Sequence, residues 1–312
     1  ENYHTEFSAW DYVRGHEGDL WRTRPDASWV GAPSFGRGHT PYDNSRGFFR
    51  DEADFPGPRT MTAARDFLRD DAPWHRDHDQ RFLLLVDEFD PHEPFDTPEP
   101  WASMYDPDWD VAEDGAHLIW PPYTAGAIAK GTIDERQGRQ IRAQYGAKLS
   151  MIDHWFGFVL DELDAGDWWD DTVVIVCTDH GHYLGERDIW GKPSVPLFEP
   201  ILHTPLFVSW PGLTDVGAPA PVDALTTNVD LHATLCDLFG VTAAHRTHGH
   251  SLRPLLDDDD PTTSIRDWSV AGVWGREVHL LDDNRKYVRA PTGDNAPLSM
   301  WSNRWSTMPL HS

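Results

Sequence analysis

The sequence predicts an α/β fold: a mixed, mainly parallel sheet sandwiched by helices, with a small antiparallel sheet toward the C-terminal end. Three observations predict it. Val173, Val174, Ile175 and Val176 form a β-branched run that reads as a strand buried on both faces. Just before it, Ile141, Tyr145, Leu149, Ile152, Phe156, Val159, Leu160 and Leu163 recur at helical spacing, which marks one long amphipathic helix from Asp134 to Leu163. From residue 266 onward, short runs (Trp268 to Val273, Val278 to Leu281, Lys286 to Arg289) alternate with turn residues in the manner of a small antiparallel sheet.

The other elements follow in order. Residues 1–58 carry Trp, Gly, Arg and Asp with little periodicity and read as irregular surface segments. Thr60 to Leu68 reads as a short helix, and Phe82 to Val86 as a second buried strand. In the segment after it, Pro91 and Pro94 bracket His92; they exclude a helix and hold the loop extended. Residues 96–131, with Trp101, Trp109, Trp120, Pro121 and Pro122, read as a long covering loop. Ile201 to Trp210 reads as a further strand closed by Pro211-Gly212, and Thr226 to Phe239 as a helix ended by Gly240. The expected organisation is one α/β domain over residues 1–256 and the start of a smaller α+β subdomain over 257–312.

Charge narrows the partners. The 312 residues contain 26 Lys and Arg against 52 Asp and Glu, a net charge of −26, and only Lys130, Lys148, Lys192 and Lys286 are lysines. Such a surface repels itself in dilute buffer and suits strong salt, where the Debye length shrinks to about 3 Å at 1 M. Nucleic acid and anionic membrane surfaces are poor partners for this field. No apolar run approaches the roughly 20 residues needed to span a bilayer. Cys177 and Cys236 give no disulfide framework.

Chemistry concentrates where Asp179-His180-Gly181 leaves the strand, because ligands of open α/β sheets bind at the carboxyl ends of strands. Gly185 and a lone Lys192 follow, and His92 lies in the proline-bracketed loop. Hydrolysis of a sulfate or phosphate ester needs spread negative charge neutralised and a leaving oxygen protonated. A metal supplies the first as a Lewis acid, a lysine adds a positive point, and a histidine supplies the proton. Each pattern also has an ordinary reading. Asp-His-Gly occurs at plain strand-to-turn junctions, His92 could simply pack under its prolines, and Lys192 could be solvated. Most tryptophans in such a chain serve packing rather than sugar stacking.

In their order and spacing these segments resemble the sulfatase family of the alkaline phosphatase superfamily. Phe82 to Phe95 looks like its strand and Pro-His-x-Pro loop, and Tyr145 to Lys192 like its helix, strand, Asp-His-Gly turn and lysine. Ile201 to Gly212 and Thr227 to Leu256 look like its Pro-Leu strand, following helix and Gly-x-Ser-Leu-x-Pro-Leu-Leu closing motif. The resemblance covers roughly residues 80–256, and Asp11 to Trp21 fits an interior family segment. It implies an alkaline-phosphatase-like fold and hydrolysis of a small-molecule or saccharide sulfate ester, with a phosphate or phosphonate monoester, or a non-catalytic binding role, as alternatives. It implies that Asp179 and His180 bind a metal, that Lys192 contacts the sulfate, and that His92 donates a proton to the leaving oxygen. His203, before Pro-Leu, is a weaker substrate-side candidate and His182 a weaker one still. The family's metal is usually Ca2+, which prefers oxygen ligands, whereas the His180 imidazole suits transition ions better; Ca2+ comes first on the resemblance, with Mg2+, Mn2+ or Zn2+ as alternatives.

The family nucleophile, a formylglycine made from cysteine or a serine in a Cys/Ser-x-Pro-x-Arg motif, has no counterpart here. The strand bearing two metal-binding aspartates and a downstream Lys/His pair are missing too. The resemblance therefore implies a fragment, lacking its beginning and its end and inert by itself. One prediction comes from charge alone: the melting temperature should rise between ~0.1 M and ~1 M KCl as self-repulsion is screened. Differential scanning fluorimetry checks this, and a flat or falling curve contradicts a salt-adapted surface.

Overall fold

The computed structural model describes residues 3–24, 26, 34–35, 40–108, 118–194, 196–214, 221–257, 262–273, 275–282, 284–291 and 293. The stretch 109–117 of the expected covering loop, with Trp109, lies outside them. The chain forms two compact units: the first comprises Glu1–Ile175, His182–Pro193 and Ser209–Pro211, the second Val176–Gly181, Ser194–Val208 and Gly212–Ser312. The expected boundary after residue 256 falls inside the second.

The first unit opens with strand β1 (Ser34–Phe35) and helix α1 (Thr40–Arg46), within the stretch expected to be irregular. Tyr42, Phe49 and Phe55 bury against one another beside Trp21. Helix α2 (Pro56–Asp66) continues through a π turn (Phe67–Asp71) into α3 (Ala72–Asp77), starting four residues before the expected Thr60. Pro56 and Pro58 lie in the helix's first turn, where a missing N–H costs nothing.

Strands β2 (Leu118–Ile119) and β3 (Thr124–Ala125) precede helix α4 (Glu135–Ala165), the long helix read from the apolar stripe. Its start is set by Asp134, whose side chain accepts from Gln137 N at 2.8 Å while Gln137 Oε1 accepts from Asp134 N at 2.9 Å, a reciprocal cap. Ile152, Val159 and Leu163 of α4 pack with Met61, Ala64, Leu68, Ala72 and Trp168. Fully burying each large apolar side chain contributes about 1.5–3 kcal/mol, so this cluster secures the helical layer.

The strand expected at Phe82 to Val86 is hydrogen-bonded into no sheet among the described residues, though its side chains alternate between covered and exposed. Phe82, Leu84 and Val86 pack on the helical cluster, whereas Leu83 and Leu85 are 47% and 56% exposed. One face is thus covered and the other open, which corrects the expectation of burial on both. Strand β4 (Val174–Cys177) carries the same correction, with Val176 and Cys177 exposed. A β-branched run fixes extended backbone; it does not by itself supply a second covering layer.

Strands β5 (Tyr183–Leu184) and β6 (Ile189–Gly191) join β3 in an antiparallel sheet of order β3-β6-β5. In the second unit, α5 (Glu199–Leu202) and strand β7 (Leu206–Ser209) replace the longer strand expected from Ile201 to Trp210. Pro200 suits a first helical turn, and Pro205 lacks the N–H a strand would donate. β7 pairs with β4, and β1 pairs with β2 in parallel. The described sheets are small and several are antiparallel, so a mainly parallel central sheet is not seen among these residues.

Helix α6 (Val229–Phe239) ends at Gly240 with φ +67°, as expected. Its buried Asp230 accepts from Thr227 N at 2.7 Å and His250 N at 2.8 Å and pairs with Arg266, tying the Gly249 to Leu256 motif to the helix. That motif ends in α7 (Pro254–Asp257). Strands β8 (Ser269–Gly272), β9 (Val278–Leu281) and β10 (Lys286–Arg289) make the expected small antiparallel sheet.

Glu88 supplies a pH handle in the first unit. Its Oε1 accepts from Asp90 N at 2.9 Å, and Gly57 makes room, since a β-carbon there would lie 2.6 Å from Asp90 Oδ2. Burial first, and the Asp90 charge second, push the Glu88 carboxyl from 4.5 up to about 8. A raised pKa means the fold binds this proton more tightly than the unfolded chain does. The resulting stability is complete below pH ~4.5 and is lost as pH rises through ~8. Glu88→Gln should therefore flatten the fall in urea midpoint between pH ~5 and ~8.5. An unchanged slope in paired urea titrations would show that Glu88 does not carry the effect.

Candidate functional site

In the first unit, the loop bearing His92 is anchored at its far end by Phe95, which is fully buried and exchanges backbone hydrogen bonds with Ile119 at 2.8 and 3.1 Å. Asp90-Pro91 and Glu93-Pro94 are cis peptides. Lys192 leaves β6, all three of whose residues are buried. Gly191 has φ +72°, and a β-carbon there would lie 2.8 Å from Pro122 O, so only glycine lets the chain turn at this point.

These elements bring His92 and Lys192 together across 100 positions: Lys192 Nζ lies 2.8 Å from His92 Nε2. His92 Nδ1 lies 2.8 Å from Glu93 O. A carbonyl only accepts, so Nδ1 carries the proton, and in the neutral ring Nε2 presents its lone pair to the Lys192 ammonium. The ammonium also lies 3.2 Å from Glu93 Oε1.

Glu93 was the variable letter of the Pro-His-x-Pro motif, and sequence reasoning missed it. Its carboxylate is fully enclosed, and neither oxygen makes an aligned hydrogen bond. Besides Lys192, it faces His92 Nδ1 at 3.6 Å and His182 Nε2 at 3.7 Å. An acidic residue beside a histidine was the available signal; its burial was not. His182 donates from Nδ1 to Tyr183 O at 2.9 Å, and burial lowers its pKa to about 4 despite the Glu93 charge. The ring is therefore neutral near pH 7.

In the second unit, Asp179 Oδ1 accepts from His180 N at 2.7 Å, and Asn228 Nδ2 donates to Thr178 O and Asp179 O at 3.1 and 2.9 Å. Asn228, at the start of α6, was another residue the sequence reading did not single out. Gly181 N donates to Ile201 O at 3.0 Å, and a β-carbon on Gly181 would fall 1.8 Å from Pro200 O. The third letter of Asp-His-Gly is thus fixed by backbone contact.

His180 Nδ1 donates to Gly181 O at 2.9 Å, so Nε2 of the neutral ring is a lone pair, 3.4 Å from Asp179 Oδ2. Two acceptors facing each other at this distance suit a shared cation, and a ligating histidine that donates its other N–H to a carbonyl is the usual arrangement. The pair fits part of a metal shell. Among the described residues, no group of three or more His, Cys, Asp or Glu is placed to hold a metal ion. His203 follows α5 with its side chain 83% exposed, its Nδ1 3.3 Å from Glu199 Oε2.

The family model described as Sulfatase matches residues 37–241. Choline-sulfatase of Rhizobium meliloti is 28% identical over 229 residues, which is 66% of this chain and 42% of that protein. A sulfatase of Formosa agariphila is 25% identical over 236 residues, 70% of this chain and 44% of that protein. Among solved structures, phosphonate monoester hydrolase of Agrobacterium radiobacter matches with TM-score 0.57 at 20% identity, covering 77% of this chain and 53% of that one. That likeness shows an α/β fold shared with such hydrolases. This chain spans less than half the length of the two sulfatases it matches. With its Pro-His-x-Pro loop, Asp-His-Gly turn and lysine inside the matched region, the chain belongs to the sulfatase family.

Proposed function

We propose that the protein containing this chain hydrolyses sulfate esters, of small molecules or saccharides, with the help of a divalent metal. The observation that carries the reading is the 2.8 Å contact between Lys192 Nζ and His92 Nε2, with the tautomer of His92 set by Glu93 O. In this reading Lys192 also contacts a sulfate oxygen. When the sulfur–oxygen bond breaks, its electron pair goes to the leaving oxygen. That oxygen takes the proton shared by His92 and Lys192. Buried Glu93 offsets the ammonium charge and holds it in position. His203 is an outer substrate contact at most, given its exposure.

Asp179 and His180 would hold the metal, Ca2+ in first place, with Mg2+, Mn2+ or Zn2+ as alternatives. Bound there, the ion would supply Lewis-acid stabilisation of sulfate charge. The attacking group, formylglycine or serine, would come from sequence outside these 312 residues.

The test uses the protein with its nucleophile in place. His92→Ala should lower kcat by ~10²-fold or more on an alkyl sulfate, whose leaving oxygen needs a proton, and far less on 4-nitrophenyl sulfate. Asp179→Ala and His180→Ala should each weaken metal affinity by isothermal titration. A second reading, a phosphonate or phosphate monoester hydrolase, is supported by the fold shared with the Agrobacterium enzyme. Parallel assays on aryl sulfate, phosphonate and phosphate separate the two, and a larger kcat/KM on either phosphorus ester would displace the sulfatase reading.

A further inference from the structure

Lys148 is one of four lysines in the chain, and its side chain is only 7% exposed on α4. A lysine ammonium has three N–H donors. Here all three find acceptors on one short loop: Asp90 Oδ1 at 2.7 Å, His92 O at 2.7 Å and Pro94 O at 3.1 Å. One turn earlier on the same helix, Gln144 Nε2 donates to Ala102 O at 2.6 Å, and Thr97 Oγ1 donates to Gln144 Oε1 at 3.4 Å. The buried face of α4 therefore grips the segment from Asp90 to Ala102 through polar side chains rather than through packing alone.

We propose that Lys148 is a positioning residue for His92. It touches neither Lys192 nor the imidazole; it fixes the backbone carbonyls on both sides of Glu93. Holding those two carbonyls fixes the backbone between them, and the Glu93 carbonyl in that stretch is the one bound to the ring's Nδ1. The assignment rests on the role proposed for His92 in proton donation. A buried ammonium needs its donors met in any role; what ties Lys148 to His92 is that its acceptors include the carbonyl of His92 itself and that of Pro94 two residues on. An arginine, with its planar fork, cannot direct three donors to the same three points.

The experiment uses the full-length enzyme. Lys148→Met leaves the buried Asp90 charge alone, so the test also includes Lys148→Met/Asp90→Asn, which removes both charges, and Lys148→Arg. Hydrogen exchange should show about tenfold or greater loss of protection at the His92 and Phe95 amides, with the α4 amides facing Met61 and Leu68 unchanged. Kinetics should show about a tenfold drop in kcat on an alkyl sulfate and little change on 4-nitrophenyl sulfate, at similar KM. In a His92→Ala background the Lys148 substitutions should add nothing. Equal losses on both substrates, additivity with His92→Ala, or unchanged exchange at His92 would each overturn the proposal. Should the enzyme not hydrolyse sulfates, or His92→Ala show no leaving-group dependence, the sulfatase reading fails while the exchange data still decide whether Lys148 holds the loop.

Discussion

A charge removed from water needs an opposite charge within reach, and in the first unit that constraint organises one loop twice. Lys148 meets Asp90 from the helix side, and Lys192 meets Glu93 from the strand side. The carboxylate of Glu93 is fully enclosed, and Asp90 and Lys148 are nearly so. Breaking such a pair by removing one partner typically costs about 3–5 kcal/mol, since an uncompensated charge stays behind. Half the lysines of a lysine-poor chain are therefore committed to one five-residue segment, and that segment carries His92.

The surrounding titratable groups follow the same rule in the neutral direction. Glu88 has no cation of its own and is pushed up to hold its proton. His16 and His182 are enclosed, and burial drives both down to about 4. The interior of the first unit thus contains matched ion pairs, Lys148–Asp90, Lys192–Glu93 and Arg46–Asp96 among them, and groups that have given up their charge. In a chain of net charge −26, Lys192 and His92 thus meet at 2.8 Å with one buried carboxylate, Glu93, beside both.

The two helices α4 and α6 were readable because their signals are local. The α4 stripe, its Asp134 cap and the Gly240 stop after α6 each lie within a few residues of what they control. The three C-terminal strands were readable because their turns separate them. Phe82 to Val86 and β4 were misjudged on one point: a run of apolar residues says nothing about what faces its second side. In the site, His92 and Lys192 were named from the order of motifs, but no pattern could show that 100 positions of chain close to 2.8 Å. Glu93 and Lys148 escaped notice for the same reason. One occupied a motif's free position and the other looked like an ordinary helix lysine, and only burial distinguishes them.

The open side of Phe82 to Val86 has a practical corollary. Leu83 and Leu85 project outward from backbone that no neighbouring strand engages among the described residues. An apolar ribbon whose backbone joins no sheet among the described residues is a template onto which another polypeptide can add a strand, its own copies included. Anyone preparing this chain for crystallisation or spectroscopy should expect self-association to begin there. Threonine at those two outward positions keeps the alternation of covered and exposed side chains while removing the adhesive surface.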